Sequence, residues 1–385
     1  MTGKRHIAVI SGSRADYGLL HWPMKRLLAE SAFQISIIVT GMHLAPEFGL
    51  TVNQFTADGF AVTAQVPILD REDSAGGVAR AIGRGVTGMT EALQKLKPDL
   101  VLLLGDRYEI FAAAQAAFVL GIPIAHLCGG DVTNGALDDA FRHSISKMAS
   151  LHFPTNADAA RRLRQLGEAE SRIHNIGSTG LDYLRHRKAL TRDELEKALN
   201  HPLATRYLLV VFHPATLDPV PSLDQLGALL RALEEVPSEI GIIFTLANAD
   251  AEGRAISAAI QSFRKARPGT DAHASLGSDR YLALMAHAAA LVGNSSSGLY
   301  EAPSFGTPSV NIGNRQDGRL RASTVIDAAP EARAITAAIQ RALAMPHVPV
   351  ANPYGDGHAS EKLIAVLKAE ADWPSLVFKT FQSFG

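Results

Sequence analysis

The chain has 385 residues, 47% of them hydrophobic and 19% charged, with a net charge of −1 at pH 7. This balance, without a long basic run, argues against a nucleic-acid partner, and the single cysteine excludes an internal disulfide framework. No apolar run approaches transmembrane length, and the N-terminal apolar run is too short for a signal peptide. We therefore expect a cytoplasmic protein of two domains with no membrane partner.

Short apolar runs alternate with amphipathic stretches along the whole chain. The apolar runs predict eight strands, at Ile7–Ser11, Gln34–Thr40, Leu100–Leu104, Pro123–His126, Tyr207–Phe212, Ile240–Thr245, Leu291–Gly293 and Ser309–Ile312. The stretches with helical periodicity predict helices at Leu19–Glu30, Val78–Leu96, Ile110–Leu120, Asp138–Ala149, Ala157–Leu166, Leu223–Glu235, Arg254–Ala266, Tyr281–Ala289, Gly298–Phe305, Ala332–Ala344 and Ser360–Ala371. Strands that alternate with helices indicate an α/β fold with parallel sheets.

The strand–helix pattern restarts once, after a charged segment at 185–200. We therefore predict two doubly wound, Rossmann-like domains with a central cleft. The first covers 1–185 and the second covers 186–369. The tail 370–385 is rich in large apolar side chains and is expected to pack on the first domain.

Ligands of such sheets bind beyond the carboxyl ends of the strands, so the residues that follow each strand are the candidates. The loop Ser11–Gly18 contains glycines but matches neither G-x-G-x-x-G nor a P-loop, which disfavours a dinucleotide fold and a P-loop NTPase. Arg14 and Gly18 are predicted to contact a phosphate, although Arg14 could equally be a surface arginine. His43 follows the second strand in the same way and is a weaker candidate.

Asp106 and Arg107 follow the most apolar strand. A carboxylate there could transfer a proton near neutral pH, whereas the alternatives are an ion pair with Arg107 or a helix cap. Asp131 follows a double glycine, which lets its backbone approach a ligand. On the next helix the (i, i+4) spacing pairs Asp138 with Arg142 and Asp139 with His143. Cys128 lacks a neighbour that would stabilise a thiolate, so we interpret it as a small buried residue.

In the second half, His213 ends a strand and could donate a proton to a leaving phosphate oxygen. Asn248 follows the next strand. The segment Ser295, Ser296, Ser297 and Gly298 starts a predicted helix, so hydroxyls and free N–H groups could bind a phosphate or diphosphate there. Glu301 could accept from ribose hydroxyls and Arg315 could add positive charge. The alternative is a serine-rich helix cap with nothing bound. No metal-binding motif is present, so no metal or cofactor is expected.

Together these motifs resemble the hydrolysing UDP-N-acetylglucosamine 2-epimerases of bacterial sialic-acid and legionaminic-acid synthesis. The Ser11–Gly18 loop is similar to the family opening T-x-x-R-A-D-Y-[GS], and the other motifs follow in order across roughly residues 6 to 326. The resemblance implies a GT-B fold that binds UDP mainly through the second domain, and a homodimer or homotetramer. It also implies elimination of UDP to a glycal followed by hydration, which converts UDP-N-acetylglucosamine into N-acetylmannosamine.

By the same resemblance, Asp106, Asp139 and His213 would be catalytic and Arg107 would line the site. UDP would be held by Arg14, Asn248, Ser295, Ser296, Glu301 and Arg315. Some relatives carry a glutamate where this chain has Cys128, and Asp131 is the nearest acid that could replace it.

Three alternatives stay open. The substrate could be UDP-2,4-diacetamido-2,4,6-trideoxyglucose, since the motifs mostly bind UDP. The chain could be a GT-B glycosyltransferase, which would release UDP only with an acceptor present. It could also be a UDP-sugar sensor that binds without turnover.

Overall fold

The computed structural model describes residues 3–70, 72, 74–133, 137–187, 189–213, 220–246, 251–273 and 276–383, with the backbone alone at 251–254. The chain divides into two units. The first comprises Met1–Tyr183 and Tyr354–Gly385, and the second comprises Leu184–Pro353.

The first unit is built on a six-stranded parallel sheet. Its strands are β1 (Arg5–Ser11), β2 (Phe33–Thr40), β3 (Val62–Val66), β4 (Leu100–Leu104), β5 (Ile124–Leu127) and β6 (Leu151–Phe153). They lie in the order β3-β2-β1-β4-β5-β6, which is that of a Rossmann domain. Every residue of β4 is buried, which explains its uninterrupted apolar run.

Helices connect these strands. They are α1 (Arg14–Ala29), α2 (Val52–Ala57), α3 (Ala75–Leu96), α4 (Tyr108–Val119), α5 (Leu137–Met148), α6 (Ala157–Gln165) and α7 (Gly180–His186). Helix α1 begins five residues before its predicted start, because Ser13 caps it directly after β1.

The second unit repeats the architecture. Its strands are β7 (Arg206–Val211), β8 (Ile240–Thr245), β9 (Thr270–His273), β10 (Ala290–Gly293), β11 (Ser309–Ile312) and β12 (Val325–Ala328), in the order β12-β11-β10-β7-β8-β9. Its helices are α8 (Arg192–Leu199), α9 (Ser222–Glu234), α10 (Ala251–Ala266), α11 (Gly277–His287), α12 (Ser297–Tyr300), α13 (Ala302–Phe305) and α14 (Ala332–Ala344). Both units are therefore doubly wound α/β domains, as the sequence predicts.

The C-terminal segment belongs to the first unit. Helix α15 (Ala359–Ala369) packs on α1 and buries Leu363 and Leu367 in the core of that unit. Further along, Trp373 stacks on Phe33 with ring centroids 5.9 Å apart. The predicted second domain, 186–369, thus extends too far, since 354–369 lies with the first unit. The predicted packing of the tail on the first domain agrees with these contacts.

Candidate functional site

In the first unit, the first turn of α1 carries a buried carboxyl group close to the carboxyl end of β1. Asp16 Oδ2 accepts from the Gly12 N–H at 3.2 Å, and the residue is only 6% exposed. Burial raises the pKa of Asp16 to about 6, although the positive charge of Arg107 partly opposes this shift. Asp16 can therefore hold or release a proton near neutral pH, a property that the sequence did not reveal.

Arg14 and Gly18, two predicted phosphate contacts, lie on the exposed side of α1. Arg14 is in the first turn of the helix, where its guanidinium faces solvent. Both positions are thus accessible to a ligand.

The first turn of α4, which follows β4, places a second buried carboxylate beside Arg107. Glu109 is fully buried, and its Oε1 accepts from Arg107 Nη2 at 2.8 Å. A Cβ at Gly41, where φ is +54°, would lie 2.7 Å from Glu109 Oε1, so only glycine fits there. Among the described residues, Glu109 Oε2 and Arg107 Nε are buried without a hydrogen-bond partner. Glu109 was missed because an acid in the first turn of a helix is ordinary.

Arg142 joins two of the predicted catalytic acids. Its Nη2 donates to Asp106 Oδ2 in a short contact, and its Nη1 donates to Asp139 Oδ1 at 3.3 Å. The Arg142 side chain is 7% exposed, whereas those of Asp106 and Asp139 are 23% and 26% exposed. The two carboxylates are thus brought together around one buried arginine and remain partly accessible.

Asp139 has two further contacts. Its Oδ1 accepts from the Thr133 N–H at 2.7 Å, and its Oδ2 lies 3.5 Å from His143 Nε2. The predicted pairing of Asp139 with His143 is present. Arg142, which was predicted to pair with Asp138, contacts Asp139 at the i, i+3 spacing.

Asp131 and Cys128 lie after β5. Asp131 accepts from Thr155 Oγ1 at 3.1 and 3.2 Å and from Asn156 Nδ2 at 3.0 Å, so its carboxylate is engaged within the protein. Cys128 has a left-handed backbone, with φ of +63°. The residue is partly exposed, so the prediction of a buried cysteine is wrong. Desolvation of the thiol, together with the charges of Asp131 and Asp16, raises its pKa, as expected for an unreactive cysteine.

His43 is buried, and both nitrogens of its ring lie within hydrogen-bond distance of a hydroxyl group of the protein. Its Nε2 lies 2.9 Å from Ser11 Oγ and its Nδ1 lies 2.7 Å from Thr51 Oγ1. Burial lowers the pKa of His43 to about 4, so the ring is neutral. The prediction that His43 contacts substrate is not supported, because both nitrogens already bond to the protein and fix the end of β1.

In the second unit, the serine-rich turn follows β10 as expected. Ser295, Ser296 and Ser297 are partly exposed, and the Ser297 N–H donates to Ser295 Oγ at 3.3 Å. The predicted helix Gly298–Phe305 is broken into the one-turn helices α12 and α13, because Pro303 cannot continue the hydrogen-bond ladder. The helix dipole is correspondingly small, so hydroxyl and N–H groups would supply most of the anion binding.

Gly298, another predicted binding residue, is buried. A Cβ there would lie 3.3 Å from Leu291 and from Ser309, and its carbonyl accepts from Ser309 Oγ at 2.8 Å. Gly298 thus allows α12 to pack closely on the sheet.

Glu301 and Arg315 surround the same turn. Burial raises the pKa of the Glu301 carboxyl, and its Oε2 is buried without a hydrogen-bond partner among the described residues. Arg315 Nη1 donates to the Asn294 carbonyl at 3.1 Å. Burial, followed by the nearby positive charge of Arg319, lowers the pKa of Arg315.

His213 lies just beyond β7, partly exposed. Burial, followed by the positive charge of Arg315, lowers its pKa. A neutral imidazole beside an arginine would become protonated more readily when an anion binds next to it. Asn248, predicted to follow β8, lies outside the described residues.

Within the described part of the chain, no group of three or more His, Cys, Asp or Glu side chains is arranged to hold a metal ion. None of the described helices is both long enough and apolar enough to cross a membrane.

The family model described as UDP-N-acetylglucosamine 2-epimerase matches residues 25–368. The chain belongs to this family. The family resemblance expected from the motifs is thereby confirmed.

Two relatives and one solved structure extend the comparison. The chain is 40% identical over 325 residues to a GDP/UDP-N,N'-diacetylbacillosamine 2-epimerase (hydrolyzing) of Campylobacter jejuni, covering 84% of each chain. It is 36% identical over 364 residues to a UDP-N,N'-diacetylbacillosamine 2-epimerase (hydrolyzing) of Legionella pneumophila, covering 94% of this chain and 96% of the relative.

The solved structure is a Neisseria meningitidis UDP-GlcNAc 2-epimerase bound to UDP-GlcNAc. It superposes with a TM-score of 0.79 at 18% identity and covers 95% of this chain and 100% of that one. The likeness supports the GT-B-like, two-domain α/β fold class.

Proposed function

We propose that the chain hydrolyses and epimerises UDP-N,N'-diacetylbacillosamine, the UDP-2,4-diacetamido-2,4,6-trideoxyglucose named above as an alternative substrate. The observation that carries this proposal is the 40% and 36% identity to two hydrolysing 2-epimerases named for that sugar. The reaction consumes the UDP-sugar and water and yields UDP and the free sugar inverted at C2.

The first unit supplies groups for the proton transfer at C2. Asp106 and Asp139 share Arg142, so the guanidinium compensates one of the two negative charges. The other carboxylate can take the C2 proton, and both acids are accessible enough to meet a sugar. We assign Asp106 or Asp139 as the base that takes the C2 proton.

The second unit supplies groups for the leaving diphosphate. As the C1–O bond breaks, its electron pair moves onto the diphosphate, and we expect Ser295, Ser297 and Arg315 to donate hydrogen bonds to that charge. His213 can hydrogen-bond or protonate the same anion. Loss of the C2 proton and of UDP leaves a glycal with a C1–C2 double bond.

Hydration completes the reaction. Water oxygen bonds to C1, and a proton returns to C2 from the opposite face, which inverts that centre. Atoms and charge balance without an oxidant, a reductant or a metal ion in either step.

Proton NMR of the purified protein with UDP-N,N'-diacetylbacillosamine in heavy water tests the proposal. We expect UDP and a free sugar that carries deuterium at C2, because the returning proton comes from solvent. Asp106→Asn should release UDP at least about 100-fold more slowly while still folding. Interconversion of intact UDP-sugars would contradict the proposal. So would the absence of UDP both with this UDP-sugar and with UDP-N-acetylglucosamine.

UDP-N-acetylglucosamine is the second candidate substrate, favoured by the description of the matching family model. Competition between the two UDP-sugars at equal, low concentration measures the ratio of their kcat/KM values. A ratio above one for the diacetamido sugar supports the first assignment, and a ratio below one favours UDP-N-acetylglucosamine.

A further inference from the structure

Asn294, directly after β10, is fully buried and bonds to the backbone of His213 with both ends of its side-chain amide. Its Oδ1 accepts from the His213 N–H at 2.8 Å, and its Nδ2 donates to the His213 carbonyl at 2.8 Å. These two bonds satisfy both backbone polar groups of His213, which a neighbouring strand would otherwise pair. The side chain thus continues the pairing of β10 with β7 by one step, at the point where His213 leaves the sheet.

Gly293 makes this approach possible. Its φ is +142°, and a Cβ there would lie 1.9 Å from the carbonyl oxygen of Val211. Any side chain would push the two strands apart. The glycine therefore brings the backbone of Asn294 close enough to β7 for the short amide side chain to reach His213.

The backbone carbonyl of Asn294 holds a second set of groups. It accepts from Arg315 Nη1 at 3.1 Å and from Gln316 Nε2 at 2.8 Å. Gln316 is 1% exposed, and its Oε1 accepts in turn from Arg319 Nη1 at 2.5 Å. One residue thus bonds to the histidine on one side and to the arginine loop on the other.

We propose that Asn294 is a positioning residue that sets His213 and Arg315 together against the leaving diphosphate. The inference rests on the proposed function, because that function gives the two groups a common anion. Asn294 itself touches neither the reacting atoms nor the sugar in this role. It acts through the residues that it holds, so its loss should matter only while those residues are present.

A double-mutant cycle on kcat tests the connection to His213. Asn294→Ala should lower kcat by about 10- to 100-fold, since small misplacements of a reacting group cost that much. In a His213→Ala background the same change should lower kcat by less than about threefold. If the two losses multiply instead, Asn294 acts independently of His213 and the inference is overturned.

Calorimetric titration with UDP alone tests the connection to Arg315 and does not depend on turnover. Asn294→Ala should weaken UDP binding about tenfold, because the carbonyl that holds Arg315 moves. Unchanged UDP affinity would overturn this half of the inference. If the wild type binds UDP but releases none from the UDP-sugars, the proposed function fails, whereas this titration still decides the role of Asn294.

Two further variants separate positioning from folding. Asn294→Asp has nearly the same shape and keeps the acceptor for the His213 N–H, but places an oxygen against the His213 carbonyl. It replaces Asn294→Ala in both experiments if the alanine variant does not fold. Asn311→Ala is the control, since Asn311 is also buried in this sheet but donates to Asp327 at 2.7 Å. We expect its kcat to stay within about twofold of the wild type.

Discussion

Replacing Asp16 by asparagine should remove a pH dependence from the stability of the protein. In the fold, burial raises the pKa of Asp16 from its ordinary 3.8 to about 6. A carboxyl group whose folded pKa is raised contributes its full stability below the unfolded pKa, and that contribution is lost as the pH rises through the folded pKa. Asparagine has no proton to lose, so the variant lacks this change.

The magnitude follows from the shift of about two pKa units, which corresponds to roughly 3 kcal/mol in total. About half of it, roughly 1 to 2 kcal/mol, is lost between pH 5 and pH 8. For 385 residues unfolding together, this equals a shift in Tm of about 2 °C, and it is nearer 3 °C if the first unit unfolds alone. An asparagine amide facing Arg107 adds a cost, but that cost is the same at both pH values.

Scanning calorimetry of the wild type and Asp16→Asn at pH 5 and pH 8 measures the effect. The difference in Tm between the two proteins should move by 2 to 3 °C in favour of the variant as the pH rises. Asp193→Asn, an exposed aspartate on α8, is the control and should show no such movement. Parallel Tm curves for Asp16→Asn and the wild type would refute the reasoning, since they would mean that Asp16 ionises equally in both states.

Two further predictions concern the first unit. Gly41→Ala should lower the free energy of unfolding in urea by about 2 kcal/mol or more, because its Cβ would meet Glu109 at 2.7 Å with φ of +54°. Gly83→Ala on α3, where a Cβ meets nothing within 4 Å, should instead be neutral or stabilising. Cys128 should react with iodoacetamide at pH 8 more slowly than glutathione does, by mass spectrometry, because burial and two nearby aspartates raise the pKa of its thiol. Equal rates would show an accessible, ordinary thiol.

The strands that the sequence predicts are the interior ones. All eight lie inside the two sheets, where both faces are covered and the residues form continuous apolar runs. The four that it missed, β3, β6, β9 and β12, are the edge strands. In β3 exposed and partly buried residues alternate, and β6 has only three residues. Half-exposed or very short strands lack the run that marks a strand in the sequence.

The residues of the candidate site also fall into two groups, those that the sequence predicts and those that it does not. Polar residues after interior strands could be predicted, because parallel strands bring their carboxyl ends to one edge. Glu109 and Asn294 could not be predicted. The surroundings of each depend on a backbone segment that is distant in the sequence and comes close only because a glycine, Gly41 or Gly293, leaves room for it. In the sequence Glu109 reads as a helix-start acid and Asn294 as part of a serine-rich turn. Their partners appear only when the strands are paired.

Near the carboxyl end of β4, Arg142 and Arg107 each compensate two acidic side chains. Arg142 contacts Asp106 and Asp139, whereas Arg107 contacts Glu109 and acts electrostatically on Asp16. Each of these two clusters combines one positive side chain with two acidic ones. Their exposure separates their roles.

Asp106 and Asp139 keep about a quarter of their side-chain surface exposed, so a sugar can reach them. Glu109 and Asp16 are almost completely buried, so a sugar cannot reach them directly. Cys128 lies close enough to Asp16 and Asp131 for both charges to raise the pKa of its thiol. Asp131 is already bonded to Thr155 and Asn156, so its carboxylate is engaged within the protein. We infer that Asp106 and Asp139 carry the proton transfer, and that Asp16 and Glu109 fix Arg107 at the edge of the sheet.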